Sequence, residues 1–357
     1  MKTTKKKRRN VEISSEEAME KLQEIFKKRG SKALEMARKE VLQEKIECKE
    51  AREALAYFIT EYWHDLARPT LLSLACEAVG GDPELTTPIA VPMILISGAI
   101  DIHDDIIDQS KTKDGRQTIY GKFGTDIALL VGDALLFKGF ALLTKATADD
   151  MVKEKMQEIL NIVKKTFFEL GDAEALELCL RAKVNVPPEE YLRIVEKKAA
   201  DVEAHTRIGA ILGGAPKREI EILGKYGRVL GMTIILRDDW IDIINLEESI
   251  HRVKKECLPL PILYALQEPK IGRELGLILS KKYLSKKDAG IILQIVHKAK
   301  GIRRYEKTIR KLEKEGDMVL QTIANKEYLE LFLRAMHPPT ERTLEFLPKT
   351  TSHVSAS

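Results

Sequence analysis

Two acidic motifs with the same spacing are the part of this sequence whose residue types could do chemistry. Both read Asp-Asp-x-x-Asp, and they occupy residues 104–108 and 238–242. In a helix, residues four apart lie on one face, so the first and last aspartates of each motif would project together. Two stacked carboxylates repel each other, and a bound cation would remove that repulsion. Mg²⁺ prefers carboxylate oxygens and shares its other positions with water and substrate phosphates. The motifs therefore predict a magnesium-dependent site that binds a diphosphate ester between them.

A single motif of this kind would more often be a solvated acidic face of a helix. Aspartate makes up roughly 6% of an average chain, so one such motif arises by chance about 0.1 times in a chain of this length. Two would arise about 0.01 times or less. Here each motif also ends a strongly apolar segment, residues 94–100 and residues 231–236. The recurrence therefore favours a functional pair over two unrelated acidic faces.

A diphosphate is also held by basic side chains, because Lys and Arg neutralise and hydrogen-bond its oxygens. The candidates near predicted helix ends are Arg68, Lys113, Lys198 and Lys255. Each of them alone would more often be a solvated surface cation. They are selected here only in combination with the two acidic motifs.

The elements that must position these groups are predicted to be helices. The chain has 357 residues, is 44% hydrophobic and contains few aromatic residues, and Leu, Ala, Glu and Lys are strong helix formers. Strand signals are scarce, and residues 14–17, Ser-Ser-Glu-Glu, are typical of a helix start. Breaks rich in Gly, Pro, Asn and Asp divide the rest into helices, at residues 80–83, 113–115, 185–188, 213–216 and 259–261.

No Pro- or Ser-rich linker splits the chain into halves, so we expect one all-α domain. The predicted boundaries are a disordered basic tail at residues 1–12, a helical domain at residues 13–337 and a loose C-terminal tail at residues 338–357. Much of the net charge of +4 lies in the run from Lys5 to Arg9. Such a run is usually solvated, so it predicts at most peripheral membrane contact and no nucleic-acid partner.

The cysteine spacing and the hydropathy indicate in which cellular compartment the protein is expected. The four cysteines are widely scattered and form no metal-binding spacing, as in reduced intracellular proteins. No apolar run approaches the roughly 20 residues that span a bilayer, and the N-terminus lacks the apolar core of a signal peptide. The expectation is a soluble, cytoplasmic protein.

The residues around the two motifs resemble the trans-type isoprenyl diphosphate synthases, or polyprenyl synthetases. The similarity covers roughly residues 30–300, and it depends on several landmarks in combination. Besides the acidic motifs, the matching segments are Arg68-Pro69 with residues 75–81, His103, residues 132–136, residues 191–198, residues 209–214 and residues 258–266.

The resemblance implies the isoprenoid synthase fold, a single-domain bundle of long helices around a deep central cavity. It also implies a homodimer, or a heterodimer with a related synthase. Three Mg²⁺ ions, or Mn²⁺ in their place, would bridge the acidic motifs to an allylic prenyl diphosphate. Ionisation of that diphosphate would be followed by head-to-tail attack of isopentenyl diphosphate, which makes the protein a prenyltransferase that releases pyrophosphate and yields a longer polyprenyl diphosphate.

The resemblance also assigns roles to individual residues. Lys198 would act in catalysis together with aspartates of both motifs, and Arg68, Lys113, Lys198 and Lys255 would bind diphosphate. Ala99 and Ile100 stand five and four residues before the first motif, where bulk limits product length in the family. Neither is aromatic, which predicts a product of C20 or longer. The implied metal ligands are Asp104, Asp105, Asp108, Asp238, Asp239 and Asp242.

Three departures from the family pattern fall in the pocket that the resemblance assigns to isopentenyl diphosphate. Asp65 replaces a lysine, Asp114 replaces an arginine and Ser97 replaces a histidine. Two of these changes exchange a cation for an anion, which would oppose binding of a second diphosphate.

Several alternatives therefore stay open at this point. The chain could be an ordinary elongating synthase with substitute cations. It could ionise an allylic diphosphate for another acceptor, for cyclisation or for loss of pyrophosphate, as a terpene synthase does. It could also be a non-catalytic subunit of a heteromeric synthase, or a helical interaction protein that needs no metal.

Overall fold

The computed structural model describes residues 14–113, 115–146, 150–181 and 183–340. The described chain is built almost entirely from helices, which confirms the all-α prediction. In chain order they are α1 (Ser15–Leu42), α2 (Lys49–Tyr57), α3 (Ala67–Ala78), α4 (Thr87–Ile107), α5 (Ile119–Lys145), α6 (Asp150–Leu180), α7 (Pro188–Lys198), α8 (Ala200–Leu212), α9 (Lys217–Ile244), α10 (Leu246–Lys255), α11 (Leu260–Leu266), α12 (Pro269–Leu279), α13 (Lys286–Lys298), α14 (Lys300–Val319) and α15 (Glu327–Ala335).

Three short turns and one small hairpin complete the described residues. A π-helical turn at Phe58–Tyr62 follows α2, and 3-10 turns lie at Pro83–Thr86 and Leu320–Thr322. The hairpin pairs β1 (Thr112–Lys113) with β2 (Arg116–Gln117) in antiparallel register. It follows the first acidic motif directly.

The helix boundaries follow the local chemistry of the chain. Ser14 caps α1, because its hydroxyl accepts from the N–H of Glu17 while the Glu17 carboxylate accepts from the N–H of Ser14. This reciprocal pair satisfies two N–H groups that a helix start leaves open. Gly214, with φ +77°, lies in the turn after α8, and Pro216 is the N-cap residue of α9. The predicted break at residues 213–216 therefore coincides with a real boundary between helices.

Helix α4 runs through the interior of the bundle and packs along α5, with α1 and α3 on its other sides. Gly132 of α5 permits a close approach to α4 at one point. A Cβ atom at that position would lie 2.5 Å from Nε2 of His103, which is too close for any real contact. The same ring nitrogen lies 3.3 Å from a carboxylate oxygen of Asp133. Three of the family's landmark residues thus meet beside the first motif.

Helix α9 carries the second motif and packs against α8 and α14. Near its C-terminal end the Trp240 and Tyr305 rings stack with centroids 5.7 Å apart. The Tyr305 hydroxyl donates to the carbonyl of Leu236 at 2.7 Å. These contacts fix the last turns of α9 against α14, so the second motif lies on a rigid element.

Two stretches are long and apolar enough to cross a membrane by length and composition alone, contrary to the expectation from the sequence. The first, residues 83–107, is 72% buried inside the bundle, as the core helix of a globular domain is. The second, residues 125–145, is only 33% buried. Apolar side chains of α5 therefore face away from the core of this chain.

The predicted division into tails and a helical domain stays a prediction. The described helices end with α15, close to the predicted boundary at residue 337. The basic tail at residues 1–12 lies outside the described residues, and so do residues 341–357 of the predicted C-terminal tail.

Candidate active site

The first acidic motif lies at the C-terminal end of α4. Asp108 caps the helix, because its N–H donates to the carbonyl of Asp104 at 2.9 Å. The side chain of Asp105 is buried, and the Tyr62 hydroxyl lies 3.4 Å from one of its oxygens. Gln109 then turns the chain with a positive φ of 57°. The apolar helix thus delivers three carboxylates to one end of the bundle.

These carboxylates are held in an environment that disfavours their negative charge. Burial raises the pKa of Asp104. Burial and then the neighbouring charge of Asp101 raise the pKa of Asp105 to about 8. Burial and then the charge of Asp104 raise the pKa of Asp108 to about 8. The motif therefore carries repulsion that added positive charge would relieve.

The second motif lies in the last turns of α9, and its middle aspartate is the most enclosed. Asp239 is 1% exposed. The Tyr191 hydroxyl lies 2.8 and 2.9 Å from the two carboxylate oxygens of Asp239, and the N–H of Leu260 donates to one of them at 3.4 Å. Burial raises the pKa of Asp239 to about 7, although Arg252 opposes that rise. Asp239 is thus held in a fixed orientation by groups from α7 and α11.

Asp238 is the exposed member of the second motif. The surrounding protein still displaces water from it and raises its pKa to about 6, against the opposing charges of Arg237 and Lys113. Lys113 also opposes the raised pKa of Asp104 and Asp105 in the first motif. The positive charge of Lys113 therefore opposes raised pKa values in both motifs.

Lys198 is the second basic residue that the structure brings to the first motif. Its ammonium group pairs with Glu177 and, at 2.8 Å, with Glu174, both on α6. Its charge also opposes the raised pKa of Asp104 and Asp108. Lys113 is likewise paired, with Asp101 at 2.9 Å. Both predicted lysines therefore lie beside the carboxylates, each with an acid partner of its own.

Arg252 of α10 is a basic residue at the second motif that sequence reasoning missed. Its guanidinium pairs with Asp239, lies 3.6 Å from Asp242 and is 2.6 Å from Glu256. The side chain is mostly buried between these acids. The sequence did contain one pattern that could have revealed it. Arg252 and Glu256 are four residues apart, as a helical ion pair requires, and the neighbouring Val253 is apolar.

Lys255, which the sequence favoured instead, is directed elsewhere. Its side chain is exposed, and its ammonium donates to the side-chain oxygen of Gln109 at 2.8 Å. On the same helix, Nε2 of His251 lies 3.1 Å from the hydroxyl oxygen of Ser110. Helix α10 therefore bridges the two motifs, but through Arg252 at the carboxylates and through Lys255 at the chain that follows the first motif.

Arg181 is a further cation that the sequence did not reveal. It follows the end of α6, and its guanidinium donates to Asp108 at 2.8 Å and to the carbonyl of Ile107 at 3.0 Å. It therefore compensates the end of α4, where the partial charge of the helix is negative.

Arg68 lies in a separate cluster and does not contact either motif in the described contacts. Its guanidinium pairs with Asp65 at 2.9 Å and with Asp201 at 2.6 Å. Asp65 also caps α3, since it accepts from the N–H groups of Ala67 and Arg68. The charge of this arginine is thus matched by two carboxylates, one of which is a departure from the family pattern.

The residues assigned to product length and to the acceptor pocket differ in how far they are buried. Ala99 is fully buried and belongs to the apolar core between α4 and its neighbours, whereas Ile100 is partly exposed one turn before Asp104. Ser97 is buried on the same helix. Asp114 lies outside the described residues.

The donor chemistry suits Mg²⁺ in a site that substrate completes. In the part of the chain that the structure describes, no three His, Cys, Asp or Glu side chains gather closely enough to enclose a metal. Mg²⁺ commonly takes only one or two carboxylates and fills its octahedron with water and phosphate oxygens. Two acidic motifs in which five of the six aspartates have a raised pKa fit that mode of binding.

Comparison with known proteins gives a consistent result. A model of the polyprenyl synthetase family matches residues 50–296. A short chain isoprenyl diphosphate synthase of Methanothermobacter thermautotrophicus is 35% identical over 184 residues, 51% of this chain and 55% of that protein. A geranylgeranyl diphosphate synthase of Methanosarcina mazei is 34% identical over 188 residues, 52% of this chain and 57% of that protein. The chain thus spans little more than half the length of these curated relatives.

The fold comparison extends further along the chain. The crystal structure of a geranylgeranyl pyrophosphate synthetase from Pyrococcus horikoshii superposes with a TM-score of 0.76 at 25% identity. That superposition covers 91% of this chain and 99% of the other. The family model accounts for more than two thirds of the sequence and the fold agrees, so this chain belongs to the polyprenyl synthetase family.

Proposed function

We propose that the chain is a magnesium-dependent prenyltransferase that ionises an allylic prenyl diphosphate and joins its prenyl group to isopentenyl diphosphate. The observation that carries this proposal is that α10 links the two aspartate motifs, because Arg252 pairs with Asp239 while Lys255 and His251 contact Gln109 and Ser110 just after the first motif. A site that gathers so many carboxylates and also holds paired cations suits a ligand that brings both negative charge and metal.

The six motif carboxylates are proposed to hold three Mg²⁺ ions, or Mn²⁺, together with the substrate diphosphate. Bound there, the metal would neutralise phosphate oxygens and make pyrophosphate a better leaving group. Asp239 is oriented for this role by Tyr191 and by the N–H of Leu260. Asp108 is held in place by Arg181. The protein therefore orients the carboxylates before any ligand arrives.

The lysines and Arg252 are proposed to bind the diphosphate oxygens directly. Lys198 can turn toward the phosphate by giving up one of its two glutamates, while the other keeps it near the first motif. Arg252 could likewise turn from Asp239 toward the diphosphate while it keeps its pair with Glu256. The apolar side chains of α4 that precede the motif would exclude water from the cation that ionisation produces.

A second candidate reaction is favoured by the cluster at Arg68. The resemblance makes this arginine a diphosphate-binding residue next to Asp65 of the isopentenyl diphosphate pocket, but here Asp65 and Asp201 already match its charge. A second diphosphate would have to displace a carboxylate from Arg68. The alternative is that the prenyl cation reacts with an acceptor that carries no diphosphate, or loses a proton or cyclises.

The outer surface of α5 and α6 supports a proposal about assembly. Leu130, Phe137 and Phe168 are 61%, 75% and 78% exposed. Leu130 and Phe137 are seven residues apart and therefore share one face of α5, and a contiguous exposed apolar patch often marks an interface. We propose that this face pairs with a second copy of the chain, or with a related synthase.

Compartment and product length are the remaining parts of the proposal. All four cysteines are free thiols, which is compatible with the cytoplasmic location proposed here. The small side chain of Ala99 is compatible with a product of C20 or longer.

The test is a product assay with purified protein and Mg²⁺. Geranyl, farnesyl and geranylgeranyl diphosphates are each supplied with and without radiolabelled isopentenyl diphosphate, and the products are separated by chromatography. Elongated diphosphates that carry the label support the condensation. Alcohols or hydrocarbons formed without isopentenyl diphosphate support the second candidate. If folded protein forms no product with or without isopentenyl diphosphate, both candidate reactions are contradicted.

A further inference from the structure

The outer face of α14 carries a concentration of positive charge that the proposed reaction does not use. Between residues 269 and 314, fourteen Lys and Arg stand against four Asp and Glu, so this stretch has a net charge of +10. The whole chain has a net charge of only +4. The rest of the molecule is therefore net negative, and the positive charge is localised.

The cations of α14 form one stripe directly opposite its buried face. At 100° per residue, seven basic residues fall within an arc of about 120°, and all seven are exposed. The buried side chains, which include Tyr305, Ile309 and Leu312, lie on the other side. At 1.5 Å per residue the stripe is about 21 Å long. Its members are Lys300, Arg303, Arg304, Lys307, Arg310, Lys311 and Lys314.

The chain itself does little to neutralise this stripe. Arg310 pairs with Glu306 at 3.1 Å, and Arg304 engages Gln267 and lies 4.4 Å from the Tyr264 ring centroid. None of the other five forms an ion pair among the described residues. Like charges at helical spacing cost a helix a few tenths of a kcal/mol per pair. A stripe of mutually repelling cations is suited to an external polyanion.

We infer that this stripe docks the chain on a bilayer surface that contains anionic phospholipid. A straight row of cations on a helix that lies flat against α9 and α11 matches a planar array of phosphates. The same packing prevents α14 from entering a nucleic-acid groove, and the stripe has no aromatic side chain on which bases could stack. The choice of partner also rests on the proposed function, because a prenyl chain partitions into lipid and a docked enzyme would exchange it there.

The test is sedimentation of the full-length chain with large vesicles of phosphatidylcholine alone or with 30% phosphatidylglycerol, in the absence of substrate. Each Lys or Arg near an anionic surface strengthens binding about fivefold, which corresponds to about 1 kcal/mol. A variant with Arg303→Gln, Lys307→Gln, Arg310→Gln and Lys314→Gln should therefore bind the anionic vesicles several hundredfold more weakly. Gln is a helix former comparable with Lys and Arg, so α14 should stay folded.

The matched control removes the same charge from another surface. Lys164→Gln, Lys217→Gln, Arg218→Gln and Lys225→Gln change four exposed residues of α6 and α9 that form no ion pair in the described chain. We expect this control to bind nearly as well as the unaltered chain, and binding to be lost in phosphatidylcholine alone and at 0.5 M salt.

Several results would overturn the inference. One is equal loss of binding in both quadruple variants, which would indicate only a diffuse charge effect. Another is loss of binding when residues 2–9 are deleted while the α14 variant still binds. A third is tighter binding of a nucleic-acid duplex than of the vesicles. None of these outcomes depends on catalysis, so the vesicle-binding result can be interpreted even if the product assay fails.

Discussion

Arg252→Gln should destabilise the chain in the absence of ligands and make its stability more dependent on Mg²⁺. Arg252 is mostly buried and touches Asp239, Asp242 and Glu256. Removing one partner of a buried ion pair typically costs about 3–5 kcal/mol. The cost here should be nearer 2–3 kcal/mol, because Asp239 has a pKa of about 7 and can take up a proton instead.

The assay is thermal unfolding with and without millimolar Mg²⁺. A loss of 2–3 kcal/mol corresponds to a fall in Tm of roughly 3–4 °C for a chain of this size. Mg²⁺ should restore part of that loss, since the same carboxylates can bind it. The control is Arg310→Gln, which removes an arginine from an exposed pair with Glu306. Such a pair contributes only about 0.5 kcal/mol to the free energy of unfolding. The reasoning is refuted if the two variants are equally stable, or if Mg²⁺ shifts both by the same amount.

The other predictions concern catalysis, packing, product length and pH. Asp104→Asn and Asp238→Asn should each reduce pyrophosphate release at least a hundredfold while the circular dichroism spectrum stays unchanged; a loss below tenfold would remove that residue from the site. Gly132→Ala should lower stability by roughly 1–3 kcal/mol, because its methyl group would meet His103; a denaturation midpoint equal to that of the unaltered chain would argue against this contact. Ala99→Phe should shorten the prenyl chain that is made or accepted, and products of unchanged length would exclude this assignment. Burial tends to raise the pKa of Asp201, but the opposing charge of Arg68 outweighs burial and leaves it lowered. Asp201 therefore stabilises the fold above its unfolded pKa of about 4 and loses that effect as the pH falls further, so Asp201→Asn should flatten acid unfolding; an unaltered acid midpoint would count against the pair.

Sequence reasoning reached those features of the molecule that depend on local pattern. The capping box at Ser14 and the breaks at residues 213–216 and 259–261 are local signals, and α1, α9 and α11 begin at them. The i, i+4 spacing of the two motifs likewise predicted carboxylates at the ends of apolar helices. These features depend on residues within one or two turns of each other.

The charge partners inside the site could not be predicted in the same way, because they join distant parts of the chain. Arg181 meets Asp108 across 73 residues of sequence, and Arg68 meets Asp201 across 133. The placement of Arg252 depends on how α10 folds back over α9. Lys255 has the expected charge and position in the sequence, yet it projects from α10 toward Gln109. Only the packing of α10 distinguishes the two.

The Arg68 cluster limits how far the family resemblance can be carried to this chain. Asp65 is a departure that charge alone would mark as unfavourable for a second diphosphate. The structure adds that Asp65 also caps α3 and shares Arg68 with Asp201. The substitution is therefore part of an organised contact, and the identity of the acceptor becomes the main chemical question for this protein.

The central claim is that the two aspartate motifs form one metal-dependent diphosphate site. Its most direct test is the thermal stabilisation of the chain by a non-hydrolysable allylic diphosphate analogue, measured with and without Mg²⁺. The account predicts a large rise in Tm only when the analogue and Mg²⁺ are both present, and its loss in Asp104→Asn and in Asp238→Asn alike. Stabilisation without Mg²⁺, or stabilisation that survives the loss of either motif, would contradict it.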